Sequence, residues 1–392
     1  MKLKKNVPLF LILVTTVICI GALIYFQYPR YLPVSLVLRD SCQALEKKQM
    51  SECHRKKMEK KFANGGTESA LRYIQHVTFG SQTSGECHTL MHALGRVSYL
   101  AEPDIIVHLQ KSLGYCTGGY LHGALEEYLL VVPPGELEVR ASTTCSSLTE
   151  LGLSTRSFEC LHGLGHALMY AYDNELMLSL KACDSIVEEW AQKICYFGVF
   201  MENSYEHIGA NRYVGPTTIQ YIDENNPIYP CNSVEKKYQS SCYSFPGNSY
   251  LLEQIKKRGL IFKGLTYDDY RNAFAVCLSV KEEEYRLRCI RGITVYIYIT
   301  HPKNVAHQRG VCELLADTEE RAVCFQHLAR MINRYDTKNT GRAKNFCTSL
   351  EATFQDACVD AYENWWYESL DKGTMNGSDS YDTYPFAEFD WK

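Results

Sequence analysis

The chain has 392 residues, of which 46% are apolar and 22% are charged, and its formal net charge is −4. This composition excludes a disordered chain, and the absence of a basic stripe argues against nucleic acid or anionic lipid surfaces as partners. Seventeen cysteines indicate a protein held together by disulfide bonds.

The first predicted element is a membrane anchor. Residues 8–26 contain no charge and are long enough to cross a ~30 Å hydrocarbon core as one helix. Three of the first five residues are lysines, which predicts a cytoplasmic stub at 1–7, a transmembrane signal anchor at 8–26 and export of the remainder. A cleaved signal peptide is the alternative, but no small-residue cleavage site follows the apolar stretch.

Beyond the anchor, fourteen cysteines form seven pairs whose members are 11 to 15 residues apart. In every pair the third residue after the first cysteine is Leu, Ile or Val, so the pairs mark an internal repeat. Regularly paired cysteines persist as disulfides in an oxidising compartment, which agrees with export. The two remaining cysteines beyond the anchor are expected to pair with each other. The predicted disulfides are Cys42/Cys53, Cys145/Cys160, Cys183/Cys195, Cys231/Cys242, Cys277/Cys289, Cys312/Cys324, Cys347/Cys358 and Cys87/Cys116.

Each cysteine pair predicts a helical hairpin. In the pair that begins at Cys312, Asp317 or Thr318 can cap a new helix, and acidic residues follow in its first turn. The first cysteine then ends one helix and the second lies in the second turn of the next. Residues 27–370 are therefore predicted to form an extracytoplasmic all-α domain of helical-hairpin repeats, either an α/α solenoid or a closed α/α toroid, stapled by intra-repeat disulfides. The β-rich run at 294–300 occupies a helical position in its repeat and is interpreted as helical.

Two segments depart from the repeat. Residues 209–230 are rich in Gly, Pro, Asn and Tyr, which is typical of a long loop. Residues 371–392 contain no cysteine and combine acidic with aromatic side chains, so we expect a flexible tail there.

Histidines concentrate around Cys87, Cys116 and Cys160. The segments that follow Cys87 and Cys160 share the pattern H-x-L-x-H-A-L, which begins one residue after Cys87 and two residues after Cys160. Side chains four residues apart share a helix face, and two imidazoles at that spacing can converge on one metal ion. The pairs at this spacing are His88/His92, His162/His166 and His122/Glu126.

These residues predict a metal site in the N-terminal half of the chain. Because the thiols are used in disulfides, imidazole and carboxylate ligands favour a divalent transition metal, namely zinc, copper or iron. Glu126 or Glu127 is expected to act as a ligand or as the general base for a metal-bound water. The predicted ligands are His88, His92, His122, His162, His166 and, from the next repeat, Glu202.

The sequence leaves open whether these histidines form one site, two smaller sites or none. Neighbouring helices lie ~9–10 Å apart, so ligands from the first and third helices of a row meet only if the helices converge. Convergence is favoured by small residues that allow close approach, namely Gly118, Gly119, Gly123, Gly163 and Gly165.

A purely structural interpretation stands beside the metal site. Histidine and glycine next to a disulfide can be part of the repeat consensus, and the glycine recurs as Gly198 and Gly292, which marks it as structural. The more scattered histidines are interpreted as isolated residues at the surface or capped in the core: His54, His76, His108, His301, His307 and His327.

Three functions are compatible with these patterns. The favoured one is a membrane-anchored, metal-dependent enzyme, either a hydrolase or an oxidoreductase, that acts on an exported peptide, glycan or envelope component. The alternative is a metal-independent interaction scaffold of the cell envelope that binds an exported protein or glycan. Metal capture or delivery ranks last, because proteins of that kind usually contain more methionine or histidine than this chain, whose nine methionines are mostly scattered.

Overall fold

The structure is a computed structural model in which the chain divides into two units, residues 1–53 with 380–392 and residues 54–379. The predicted stub, anchor and tail at 1–7, 8–26 and 371–392 lie outside the described residues. Among the residues that are described, no helix is both long and apolar enough to cross a membrane. The described residues are 42, 47–78, 85–111, 116, 118–149, 155–206, 221–223, 225–258, 264–335 and 341–363.

The prediction of an all-α fold is confirmed for the described residues, which contain helices, 3-10 turns and one isolated β-bridge between Asp223 and Asn226. The β-rich run at 294–300 lies inside a helix, as predicted. The helices are α1 (Lys47–Val77), α2 (Gly85–Ala101), α3 (Ile105–Lys111), α4 (Gly119–Leu130), α5 (Leu137–Thr144), α6 (Ser146–Thr149), α7 (Thr155–Ala171), α8 (Leu176–Cys183), α9 (Glu189–Glu206), α10 (Lys236–Cys242), α11 (Pro246–Lys257), α12 (Tyr267–Leu278), α13 (Glu283–Thr300), α14 (Val305–Cys312), α15 (Thr318–Tyr335), α16 (Arg342–Thr348) and α17 (Ala352–Glu363).

All eight predicted disulfides are formed, with Cα atoms 5.3 to 6.0 Å apart across each bond. This distance is the ordinary one for a disulfide, so the bonds fit the backbone as it is folded. The bonded pairs are Cys42–Cys53, Cys87–Cys116, Cys145–Cys160, Cys183–Cys195, Cys231–Cys242, Cys277–Cys289, Cys312–Cys324 and Cys347–Cys358.

In the clearest repeats the disulfide closes a helical hairpin at its turn, as predicted. Cys312 ends α14 and bonds Cys324 in the second turn of α15. Cys277 lies one residue before the end of α12 and bonds Cys289 in the second turn of α13. Both sulfur atoms of such a bond lie inside the core, since Cys277 and Cys289 are each 0% exposed.

The first disulfide differs from this pattern in two ways. Cys53 lies in the second turn of α1, as predicted, but its side chain is partly exposed. Cys42 is buried and lies in a 3-10 turn, where the prediction placed the end of an α-helix. Among the described residues no α-helix ends at Cys42, so this bond staples a turn to the start of α1.

The prediction of a helical hairpin is wrong for the pair Cys231–Cys242. Cys231 lies in a series of turns, and Cys242 ends the short helix α10 where the second turn of a longer helix was expected. Pro227 and Pro230 precede Cys231, and neither can donate the backbone hydrogen bond that would continue a helix into this cysteine. The described residues of the predicted loop at 209–230 form turns and the isolated bridge, while 209–220 and 224 lie outside them.

The hairpin turns are built from local capping and from one buried aliphatic side chain. Asp317 caps α15, because its Oδ1 accepts hydrogen bonds from the backbone N–H groups of Glu319 at 2.9 Å and Glu320 at 3.1 Å. Thr266 and Asp269 form a reciprocal capping box at the start of α12. The aliphatic residue three positions after the first cysteine is buried in most repeats, at Ile186, Val234, Val280, Leu315 and Leu350.

The longer helices of successive repeats pack against one another. Helix α2 packs on α4, α4 on α7 and α7 on α9, and the same order continues from α11 to α13, α15 and α17. One hydrophobic core draws on side chains between Tyr99 and Phe245 together with Val280, and a second on side chains between Leu251 and Cys358. The histidine-bearing helices α2, α4 and α7 therefore lie side by side in one packed row.

Candidate metal centre

Five histidines on three successive helices meet in one group, which we call the five-histidine cluster. His88 and His92 lie on α2, His122 on α4, and His162 and His166 on α7. The centroids of the other four rings lie 5.1 to 5.4 Å from that of His122. Side chains of the first and third helices also approach each other, since the ring centroids of His92 and His166 are 6.4 Å apart. The structure therefore brings together all five histidines identified in the sequence.

Glycine allows α2 and α4 to approach at backbone contact distance. A Cβ atom added at Gly123 would lie 2.0 Å from the carbonyl oxygen of His92. One added at Gly95 would lie 1.9 Å from the carbonyl oxygen of Tyr120. Real Cβ atoms do not approach oxygen so closely, so any larger residue at either position would push the two helices apart.

Glycine also allows α7 and α9 to approach at backbone contact distance. A Cβ atom at Gly165 would lie 2.2 Å from the carbonyl oxygen of Cys195, and one at Gly198 would lie 2.1 Å from that of His162. The prediction that small residues bring these helices together is confirmed, and Gly198 has the structural role expected of it.

His122 occupies the centre of the cluster. Its side chain is buried, with a relative exposure of 2%, and neither ring nitrogen has a hydrogen-bond partner among the described residues. A Cβ atom at Gly163 would lie 2.6 Å from Cδ2 of this ring, so glycine there provides the space that the imidazole fills. Leaving a buried polar group without a partner costs about 1–3 kcal/mol, which favours a bound ion at this ring.

The orientation of the α2 histidines is set by hydrogen bonds on their outer nitrogens. Nδ1 of His88 lies 2.8 Å from the carbonyl oxygen of Cys116, and Nδ1 of His92 lies 3.0 Å from Oε1 of Glu126. Because both partners are acceptors, each Nδ1 carries the proton and each Nε2 carries the lone pair. The two Nε2 atoms face each other at 2.9 Å. Two lone pairs at that distance repel, so this geometry fits a cation held between them.

The α7 histidines have a related arrangement. Nδ1 of His166 lies 2.5 Å from Oε2 of Glu202 on α9, and its Nε2 lies 3.0 Å from Nε2 of His162. Glu202 is fully buried, at 0% exposure. A carboxylate that accepts the Nδ1 proton fixes the ring orientation and strengthens Nε2 as a metal ligand.

Three of the imidazoles satisfy the spacing of a metal site. One ring nitrogen each from His88, His92 and His122 lie within 4.8 Å of one another. Two nitrogens bound to a tetrahedral ion at ~2.05 Å are about 3.3 Å apart, so the 2.9 Å between the His88 and His92 Nε2 atoms would widen slightly and the His122 ring would move inward to complete the coordination. The part of the chain that the structure describes therefore contains a group of three histidines that can hold a transition metal.

Glu126 links this group to a buried arginine. Its Oε2 accepts hydrogen bonds from Nε and Nη2 of Arg96 at 2.8 and 2.5 Å. Burial by itself would raise the pKa of the Glu126 carboxyl, but the adjacent Arg96 guanidinium and His92 lower that pKa to about 2. The same carboxylate raises the pKa of Arg96 against the effect of burial. Glu126 is thus ionised and engaged through both oxygens.

Burial lowers the pKa of two of the imidazoles, which favours the neutral form that metal ligation requires. Desolvation, followed by the neighbouring His92, lowers the pKa of His88 from 6.5 to about 3. Desolvation, followed by His166 and the other three rings, lowers the pKa of His122 well below its ordinary value. At neutral pH the lone pairs of both rings are available to an ion.

The carboxylates identified in the sequence occupy different positions. Glu126 and Glu202 bind the outer nitrogens of His92 and His166, on the side away from the facing Nε2 atoms. Glu127 is half-buried, and burial raises the pKa of its carboxyl.

The sequence analysis missed two groups that hydrogen-bond to residues of the site: the Arg96 side chain, which donates to Glu126, and the Cys116 carbonyl group, which lies against Nδ1 of His88. Arg96 follows His92 by four residues and so continues the row that begins at His88, which is a signal that the sequence contains. The guanidinium also lies 5.5 Å above the ring of Tyr170 on α7. No residue type marks a backbone carbonyl, so the acceptor at Cys116 becomes visible only in the folded chain.

Three of the other described histidines, His108, His301 and His307, make two kinds of contact. His108 is a capped core histidine as predicted, because its two nitrogens bond the hydroxyl of Tyr120 and the carbonyl of Glu102, each at 2.8 Å. The prediction that His301 and His307 are isolated is wrong: their ring centroids are 3.7 Å apart. The short loop between α13 and α14 brings these two side chains together.

No protein-family model, curated protein or solved structure matches this chain.

Proposed function

We propose that the protein is a metal-dependent enzyme of an oxidising, extracytoplasmic compartment. Its metal ion would be bound by Nε2 of His88, Nε2 of His92 and one ring nitrogen of His122. The observation that carries this proposal is the central His122, which is buried and has no hydrogen-bond partner among the described residues, while two other imidazoles present ligand atoms within 4.8 Å. Coordination would replace the hydrogen bonds that this ring lacks.

The chemistry of the donors selects the metal class. Imidazole ligands suit zinc, copper and non-haem iron, and all sixteen cysteines beyond the predicted anchor are used in disulfides, which leaves no thiolate. Glu126 is already bound to His92 and Arg96, so we assign it a positioning role in place of the base or ligand role expected from the sequence. By the same argument Glu202 orients His166.

Support for catalysis comes from the number and exposure of the ligands. Three protein ligands leave a coordination position open, which is typical of catalytic rather than structural zinc sites. His88 is half-exposed while His92 and His122 are buried, so the open position would face the side of His88. A bound divalent ion would supply Lewis-acid activation of water or of a substrate carbonyl group. Glu127, half-buried and with a raised pKa, is the carboxylate we assign to proton transfer.

The proposed substrate is an exported peptide, glycan or envelope component, because the disulfides indicate an oxidising compartment. The proposed attachment is a single helix at residues 8–26, with the cytoplasmic stub at 1–7. We propose no nucleic-acid partner, because the chain is slightly acidic, with a net charge of −4.

The test is the metal content of the full chain, expressed through an oxidising compartment and purified without a histidine tag. We expect tightly held zinc, copper or iron in the parent protein and a loss of that metal in His122→Ala. The matched control is His76→Ala, which changes an exposed histidine of α1 and should keep the metal. A folded protein that stays empty when supplied with all three metals would refute the proposal and favour the metal-independent scaffold.

A further inference from the structure

The five-histidine cluster contains two similar halves. The first clip is His88 with His92, and the second clip is His162 with His166. In each clip the two imidazoles are four residues apart and their Nε2 atoms face each other, at 2.9 Å in the first and 3.0 Å in the second. In each, one ring donates its Nδ1 proton to a buried glutamate of the next helix in the row.

His122 lies between the two clips, and its ring is at a similar distance from the rings of both. Its ring centroid is 5.4 and 5.3 Å from the rings of the first clip, and 5.2 and 5.1 Å from those of the second. Both of its ring nitrogens are buried and have no hydrogen-bond partner within the described parts of the chain. An ion on the first clip can bind only one of these nitrogens, so the other would stay buried and unsatisfied.

From this arrangement we infer that the cluster binds two transition-metal ions, one on each clip, and that His122 bridges them through its two ring nitrogens. This inference rests on the proposed metal-binding function and extends it with a second site at His162 and His166. To bridge, His122 releases its N–H proton to solvent when the second ion binds. With nitrogen–metal bonds of ~2 Å on both sides of one imidazole, the two ions would lie roughly 6 Å apart.

The charges around the second clip agree with a cation there. The carboxylate of Glu202 is fully buried and lies 2.5 Å from Nδ1 of His166. His162 and His166 are themselves buried, at 6% and 1% exposure. A buried carboxylate is stabilised by a nearby positive charge, which an ion on the second clip would provide.

A shared proton is the competing explanation for the second clip. In that case Nε2–H of His162 donates to Nε2 of His166, and no ion is needed there. This arrangement leaves one nitrogen of His122 unsatisfied even when the first clip is loaded. The experiment must therefore count ions and also report whether His122 connects them.

The experiment is a titration of the metal-free, full chain with Cu²⁺, using equilibrium dialysis for stoichiometry and electron paramagnetic resonance for coupling. We expect two tightly bound Cu²⁺ per chain. The first equivalent gives the signal of an isolated ion, and the second equivalent reduces the signal per copper because the bridge couples the two spins magnetically. His122→Gln should remove that coupling and also reduce the amount of tightly bound Cu²⁺, whereas His76→Gln, at an exposed position, should change neither reading.

Variants of the clips assign the positions. The double variant His162→Gln/His166→Gln should bind one Cu²⁺ through the first clip. The double variant His88→Gln/His92→Gln should bind one Cu²⁺ through the second clip. The parent protein decides the question even if a double variant fails to fold. One Cu²⁺ per chain, or two without magnetic coupling, would overturn the bridged pair while leaving the proposed metal function intact. No bound Cu²⁺, with zinc and iron also failing to bind, would instead refute the proposed function itself.

Discussion

Hydrogen bonds to Nδ1 decide which nitrogen three of the cluster histidines offer. The acceptors at Cys116, Glu126 and Glu202 hold three rings so that Nε2 points toward a neighbouring imidazole. Such partners fix the tautomer and the ring orientation, and their loss typically reduces metal affinity by about 10–100-fold. The carboxylates would thus matter for metal binding even though they lie on the side away from the facing Nε2 atoms.

Glu126→Gln should therefore weaken metal binding by about 10–100-fold. The amide accepts the His92 proton less strongly and leaves the buried Arg96 charge uncompensated, so we also expect a loss of about 3–5 kcal/mol in the free energy of unfolding. Competition titration with zinc and chemical denaturation measure the two effects. Glu127→Gln is the matched control and should retain metal affinity within a factor of a few. Equal losses in both variants would contradict the assigned role of Glu126.

A second prediction concerns pH and the metal-free protein. His88 and His122 have lowered pKa values in the folded state, so at pH values below 6.5 they bind protons mainly when the chain unfolds. The free energy of unfolding should then fall as pH drops from 6.5 toward 3, by up to about 1.4 kcal/mol per pH unit for each such group. Glu126, whose pKa is lowered from 4.5 to about 2, adds a further decrease in the free energy of unfolding below pH 4.5.

Denaturation of the metal-free protein between pH 7 and pH 4 measures this slope. His122→Gln removes one of the groups that take up a proton on unfolding, so its slope should be shallower than that of the parent. A stability that does not change over this range would show that the imidazoles are not buried as described.

At the scale of helices, close packing depends on positions where no side chain fits. Helices α2 and α4 touch through Gly95 and Gly123, and α7 and α9 touch through Gly165 and Gly198. Each glycine weakens its own helix by up to about 1 kcal/mol relative to alanine. Close contact places imidazoles of adjacent helices within reach of one another.

Gly123→Ala should damage both stability and the site. Its new Cβ would lie 2.0 Å from the His92 carbonyl oxygen, so α2 and α4 must separate. We expect a loss of about 1–3 kcal/mol in the free energy of unfolding, together with weaker metal binding because His92 moves away from His122. Gly135→Ala is the control, since nothing lies within 4 Å of a Cβ there. Retained stability and metal affinity in Gly123→Ala would mean that the helices do not pack this closely.

At the scale of the whole chain, disulfides staple the helical hairpins one by one. Closing a loop of 11 to 15 residues contributes about 3 kcal/mol in the chain-entropy model, so each hairpin is stabilised separately before it packs on its neighbours. The pair Cys87–Cys116 is different, with a separation of 29 residues. It ties the start of α2 to the residue whose carbonyl oxygen orients His88.

Two disulfide deletions should separate stability from metal binding. Cys87→Ser/Cys116→Ser and Cys347→Ser/Cys358→Ser should each lower the free energy of unfolding by about 3–4 kcal/mol. The first should also lower metal affinity, because the acceptor for His88 is released, while the second leaves the five-histidine cluster intact. Thermal unfolding and zinc titration distinguish the two effects. If both variants bound zinc like the parent, the Cys116 carbonyl would have no role in the site.

Local patterns made much of this architecture predictable. A disulfide between residues 11 to 15 apart leaves few arrangements for a hairpin, so Cys277 and Cys289 predicted both a bond and a turn. The i, i+4 spacing of His88 and His92 predicted a shared face because helix geometry alone determines it. The oxidising compartment followed from the same cysteines.

The same cysteine spacing does not fix the position of each cysteine within its helices. Cys53 and Cys242 both follow their partners by 11 residues, yet Cys53 lies early in a long helix and Cys242 ends a short one. The difference depends on the residues between and before the cysteines, of which the prolines at 227 and 230 are the clearest.

Contacts across helices could not be read from the sequence. Whether His92 and His166 belong to one site depends on the separation of α2 and α7, and spacing along the chain does not encode it. The roles of Glu126 and Arg96 depend on which oxygen faces which nitrogen.

The sequence by itself determined that this is an all-α, disulfide-stapled protein with histidines grouped on three helices, because each of these features depends on contacts between residues close in the chain. Only the tertiary structure decided that five imidazoles converge on His122, that two carboxylates orient the rings, and that His301 lies against His307. These outcomes depend on how closely helices approach, and that distance is set by the packing of many side chains together.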